Sequence, residues 1–231
     1  MKVFGISDLH LSINNPKPMD IFGGAWNNYL DDIEASWNEK VSEDDIVLIA
    51  GDISWAMTLD NVKPDLEYIG KFKGKKVILR GNHDYWWHSI STIRNLLPAN
   101  MYAVQNDCIR IDNVLIGGSR AWTTPEKDFL TADDKKIYDR ELIRMKLSLD
   151  SMAKMRKDGD RVIFMTHFPP FNSKLEKSEF TKLFSQYNVD CVVYGHLHGE
   201  NCRVIPSFSI DGVRYYLTSC DLVNNTLVEI I

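Results

Sequence analysis

A chain of 231 residues, 44% of them hydrophobic, is long enough to bury a sizeable core, and residues 1–231 read as one domain. The net charge is −5 with acidic and basic residues interspersed, which excludes the basic field that grips nucleic acid through its phosphates and leaves no extended nucleic-acid surface. Cys108, Cys191, Cys202 and Cys220 show no C-x-x-C spacing, the opening MKVFGISDLH has no signal-peptide pattern, and no apolar run reaches the length of a membrane span; a soluble cytoplasmic protein with reduced thiols is expected.

In chain order, short apolar runs recur and end in polar clusters: KVFGIS before DLH, DIVLIA before GD, KKVILR before GNHD, RVIFMT before His167, and CVVY before GHLH. Their length and near-continuous hydrophobicity predict strands covered on both faces. Helical spacing links Trp26, Leu30, Ile33, Trp37 and Val41, and again Ile137, Tyr138, Leu142, Met145, Leu149 and Met152. Residues 101–118 read as short strands joined at Asn106-Asp107 and Asp112-Asn113. Beyond His198 the pattern returns to strands, with Asp211-Gly212 as a hairpin turn and TLVEII as the last strand. The order is that of an α/β protein with two packed sheets and helices outside.

Taken singly, the polar clusters say little. Asp8-x-His10 and Gly51-Asp52 are ordinary after a strand, and His167 before Pro169-Pro170 reads as a loop histidine. Gly81-Asn82-His83-Asp84 gathers an amide, an imidazole and a carboxylate in one turn. Gly195-His196-Leu197-His198-Gly199 presents two imidazoles at i and i+2 between glycines, which favours a metal. Taken together they are informative: of six histidines, five (His10, His83, His167, His196, His198) fall just beyond strand ends, beside Asp8, Asp52, Asn82 and Asp84. In an α/β sheet, such ends converge on the crevice where ligands bind.

In the order DLH, GD, GNHD, H and GHLH, the sequence resembles the calcineurin-like metallophosphoesterases. The resemblance implies the metallo-dependent phosphatase fold, a four-layer α/β/β/α sandwich with two mixed sheets. It implies two metal ions, one held by Asp8, His10, Asp52 and His198 and the other by Asp52, Asn82, His167 and His196, with Asp52 bridging. It further implies a phosphohydrolase that cleaves a phosphomonoester or phosphodiester by attack of a hydroxide shared between the ions. Ligands of nitrogen and oxygen without thiolate suit Mn or Fe, with Zn as an alternative. His83 is expected to face the substrate and assist the leaving oxygen. Two other readings are a non-catalytic metal-binding scaffold and a nuclease component of a larger complex.

The second block departs from the protein Ser/Thr phosphatases and the purple acid phosphatases, because GDISW places Trp55 where the former carry an acidic residue and the latter a tyrosine ligand. His83 then needs another partner, for which Asp84 is the candidate. Trp55, Trp86 and Trp87 are assigned to substrate contact as a wall for a base, sugar or apolar leaving group, with core packing as the alternative for each. Arg120 is assigned as a phosphate clamp, with a surface salt bridge as its alternative. The expected partner is a small phosphorylated substrate, with a nucleotide among the candidates.

Overall fold

The computed structural model describes residues 1–127, 131–199 and 201–231. The strands are β1 (Val3–Ile6), β2 (Ile46–Ile49), β3 (Lys75–Ile78), β4 (Met101–Ala103), β5 (Asp107–Ile111), β6 (Val114–Gly118), β7 (Arg161–Met165), β8 (Cys191–Tyr194), β9 (Ser207–Ile210), β10 (Val213–Leu217) and β11 (Val228–Glu229). The helices are α1 (Tyr29–Lys40), α2 (Leu59–Gly70), α3 (Ile90–Leu96), α4 (Ala132–Met155) and α5 (Glu179–Gln186). Two mixed sheets result, in the orders β11-β1-β2-β3-β4 and β5-β6-β7-β8-β10-β9. The neighbours from β1 to β4 and from β6 through β8 to β10 are parallel; β11, β5 and β9 pair antiparallel at the edges.

Alternation along each strand explains the layering. Val3, Ile46, Leu48 and Val77 point one way and meet Ile116, Ile163, Met165 and Val193 of the other sheet in a shared core. Phe4, Val47, Ile49 and Ile78 point the other way, against Ile33 and Trp37 of α1, Leu66 and Ile69 of α2 and Ile93 of α3. On the far side, Val162, Phe164 and Val192 pack on Met145, Leu149 and Met152 of α4 and on Phe180 and Phe184 of α5. The outcome is the expected α/β/β/α sandwich.

Some boundaries differ from the predicted ones. The first helical pattern begins at Trp26, but Gly24–Trp26 forms a 3-10 turn and α1 starts only at Tyr29, after Asn28 in left-handed conformation. TLVEII contributes only Val228–Glu229 to a ladder. The Asp211-Gly212 hairpin is present, both residues having positive φ as a tight turn between β9 and β10 requires. Among the described residues, no helix is long and apolar enough to cross a membrane.

Candidate metal centre

Every strand that carries a polar cluster delivers it from its carboxyl end. Asp8 and His10 follow β1, Asp52 follows β2, Asn82 to Asp84 follow β3, His167 follows β7, and His196 and His198 follow β8. The two sheets are tied together at this rim. Ser7 donates its N–H to Thr218 O and accepts from Cys220 N–H, so the end of β1 is laced to the end of β10.

The donors converge on two adjoining points. Ligand atoms of Asp8, His10 and His198 lie within 4.8 Å of one another, as do those of Asp8, Asp52 and His167. Asn82 Oδ1 lies 2.7 Å from His167 Nε2 and 2.9 Å from His196 Nδ1, and Asp52 Oδ2 is 3.5 Å from His167 Nε2 and 3.9 Å from His10 Nε2. All seven expected ligands are therefore gathered, with Asp52 between the two groups. Asp8 is more central than the sequence implied, since it belongs to both clusters.

Backbone conformation and close approach make this possible. Asp8, His10, Asp52 and His196 all have positive φ, a sparsely populated region in which aspartate and histidine are enriched among residues other than glycine. A Cβ on Gly81 would overlap Asp52 N and Oδ1, and one on Gly195 would overlap Ser7 Oγ and Asp8 Oδ2. These two glycines let the backbone pass directly behind the carboxylates.

Second contacts orient the donors. His167 Nδ1 donates to Ala50 O at 2.9 Å, leaving Nε2 directed at Asn82 and Asp52. Ser7 Oγ donates to Asp8 Oδ2 at 2.5 Å, and His196 N–H to both Asp8 oxygens. His198 is held on its other nitrogen by Asp221 Oδ1 at 2.9 Å, and Gly199 N–H donates to Asp221 Oδ2 at 3.0 Å. Sequence reading missed Asp221, although VRYYLTSCD ends an apolar run in a polar group just as the other five blocks do.

The carboxylates and imidazoles of the cluster shift one another's ionisation. Burial opposes ionisation of Asp8, but the His198 hydrogen bond and the charges of His198, His167 and His10 hold its carboxyl well below the usual range. Asp52 is also lowered: burial opposes it, and His167 outweighs the burial. Burial pushes His10 down to about 4 and, helped by the neighbouring His167, His196 to about 4. For His198, the Asp221 and Asp8 partners overcome burial and raise it to about 10.

The donor set fits divalent ions. His10 Nδ1 is buried with no hydrogen-bond partner among the described residues, and two buried carboxylates face imidazoles with no lysine or arginine paired to them. A buried imidazole nitrogen without a partner is costly unless a cation or another group completes it.

Two expectations are corrected. Asp84 does not orient His83. Its buried carboxylate accepts from Ile53 N–H, Ser54 N–H, Gly81 N–H and Trp86 Nε1–H, and so braces the turn instead of reaching the chemistry. His83 Nδ1 is buried without a hydrogen-bond partner among the described residues, and the His83 ring lies 4.9 Å from Trp55 and 5.7 Å from His10. Trp86 and Trp87 do not wall the site: they are 0% and 4% exposed, with indole N–H groups donating to Asp84 and Gln105. Trp55 does flank it, half-buried and stacked on His10 with centroids 4.7 Å apart. Arg120 has no ion pair among the described residues; its Cζ lies 5.0 Å from the Trp122 ring and 5.7 Å from Phe168, whose own ring is 4.1 Å from His196.

The chain is similar to several known proteins. A Coxiella burnetii (strain RSA 493 / Nine Mile phase I) protein named "probable cyclic nucleotide phosphodiesterase" is 24% identical over 216 residues, covering 87% of this chain and 77% of that protein. A solved structure from Thermus thermophilus superposes with TM-score 0.59 at 10% identity, covering 99% of this chain and 97% of the other. One of a protein of unknown function from Aquifex aeolicus gives 0.49 at 14% identity, with 99% and 95% covered. The family model described as calcineurin-like phosphoesterase matches residues 1–200, which hold all five strand-end blocks and the strands from β1 to β8, and the chain belongs to that family.

Proposed function

We propose that residues 1–231 act as one domain, a phosphohydrolase that works with two divalent ions, Mn or Fe first and Zn second, on a small phosphorylated substrate. The observation that carries this reading is the convergence of seven nitrogen and oxygen donors from both sheets on two adjoining points, with Asp52 between them. Asp8, His10, Asp52 and His198 would hold one ion, and Asp52, Asn82, His167 and His196 the other. Two such ions supply a hydroxide nucleophile near neutral pH and neutralise phosphoryl charge.

The chain's own residues do the rest. Asp221 and Ala50 O fix the imidazole orientations from behind, as partners of this kind do for metal-binding histidines. His83 would protonate the departing oxygen: its ring Nδ1 has no hydrogen-bond partner among the described residues, and it lines a cavity beside His10 and His198. Arg120 is offered to a phosphate oxygen. The relative named as a cyclic nucleotide phosphodiesterase supports phosphodiesters, nucleotides among them, as the substrates to try first. Four free cysteines support a reducing, cytoplasmic setting.

The test compares initial rates of Mn²⁺-loaded protein on p-nitrophenyl phosphate and bis(p-nitrophenyl) phosphate. Turnover is expected with the wild type, and no detectable turnover with Asp52→Asn or His196→Ala at unchanged secondary structure. Undiminished turnover in either variant refutes the assignment.

A further inference from the structure

Two cavities meet the candidate centre, and they have no lining residue in common. The smaller, about 240 Å³, is walled by Met19, Phe22, Trp26 and Trp55 and contains His83 together with His10 and His198. The larger, about 380 Å³, starts at His196 on the other side of the donor cluster and runs over Phe168, Tyr194, Leu197, Val204 and Ile205. Its rim carries hydrogen-bonding side chains away from the donor cluster, including Thr124, Asn172 and Arg203, whereas the hydrogen-bonding side chains of the smaller cavity are the three imidazoles and the Trp26 and Trp55 indoles. Apolar and aromatic walls with a few polar groups are the usual lining of an organic ligand's site.

A phosphomonoester has one organic arm and would use one of these cavities. A cyclic phosphodiester carries both ester oxygens in one ring, and likewise presents a single organic body. Two separate apolar cavities, one at the His10 and His198 end and one at the His196 end, match a phosphorus bearing two separate arms. His83, the group available to the leaving oxygen, lies in the smaller cavity only.

We infer, resting on the function proposed above, that the substrate is an acyclic phosphodiester with two unlike arms. The smaller, apolar arm sits against Trp26 and Trp55 and leaves; the larger, more polar arm sits over Phe168 and Tyr194 and keeps the phosphate. An oxygen from water bonds to phosphorus as the P–O bond to the smaller arm breaks. One proton ends on the departing alcohol and the other on the phosphomonoester or in solvent, so atoms and charge balance without a further reactant.

Phenyl 2-naphthyl phosphate tests this, because its two phenols are near-equal leaving groups and differ chiefly in size. Mn²⁺-loaded protein is expected to release phenol and 2-naphthyl phosphate in at least severalfold excess over 2-naphthol and phenyl phosphate. Ile205, 53% exposed at the larger cavity, can be enlarged in Ile205→Trp without disturbing the core. That variant is expected to lose at least severalfold in the ratio of kcat/KM for the diester to kcat/KM for p-nitrophenyl phosphate. Equal or reversed products, or hydrolysis of p-nitrophenyl phosphate with none of the diester, overturn the two-arm inference and leave the phosphohydrolase reading standing. Silence on every ester by metal-loaded protein overturns both.

Discussion

At the scale of single residues, the same chemical group serves opposite ends depending on what surrounds it. Asp8 and Asp52 face imidazoles, whereas Asp84, two positions beyond Asn82, is spent on three backbone N–H groups and an indole. Burial, followed by the nearby charge of Asp52, pushes Asp84 up to about 6. In Asp84→Asn the amide NH₂ must confront one of those donors, and urea unfolding of the metal-free protein is expected to show a loss of about 1–3 kcal/mol. Lys76 is a second buried charge, donating to Phe72 O and Gly74 O just beyond the end of α2, and burial lowers it to about 8. Between about pH 8 and the unfolded lysine value, the unfolded chain holds this proton more tightly than the folded one. Stability relative to Lys76→Met should therefore rise with pH there, by up to about 1.4 kcal/mol per pH unit. A flat difference in unfolding free energy across that range would remove Lys76 as its source. The gathering of imidazoles and carboxylates was legible because five of the six histidines fall just beyond strand ends. The fate of Trp86 and Trp87 was not, since a tryptophan beside a site and one in the core have the same sequence signature.

At the scale of elements, what positions the site is the way each strand stops. β2 and β3 end side by side, and the backbone of Gly81 runs so close behind Asp52 that no side chain fits. His83 N–H in turn donates to Asp52 Oδ1 at 2.8 Å, locking the two loops to each other. Gly81→Ala should force these loops apart; calorimetric titration with Mn²⁺ is expected to show affinity weakened roughly 10- to 100-fold, as for other supports behind a ligand. Unchanged affinity would mean that the loops yield freely. Most strands were readable as continuous apolar runs, and α4 from its long 3.6-residue period. The α2 pattern was obscured by Pro64 within it, and α5 is a short helix held by a Ser178–Thr181 capping box, a signal of two side chains easily passed over in sequence.

For the whole molecule, the centre is a joint between two sheets. Asp8, His10, Asp52 and Asn82 come from strands of one sheet, and His167, His196 and His198 from the other. Ions held by both would bind the folded state and not the unfolded one. At a hundredfold excess over the dissociation constant this adds about 2.7 kcal/mol. For a chain of this size the melting temperature should then fall by roughly 5–10 °C on chelation and return with Mn²⁺. No change on chelation would argue against ligands drawn from both sheets. The left-handed backbone at Asp8, His10, Asp52 and His196 has a consequence for how such a chain can change over time. Each costs on the order of 1 kcal/mol relative to glycine, so the folded state is weaker for keeping its chemistry. A descendant released from catalysis would gain least by drifting to glycine at Asp8 and Asp52, whose carboxylates accept the N–H groups of His196 and His83, and most at His10, whose Nδ1 has no partner among the described residues.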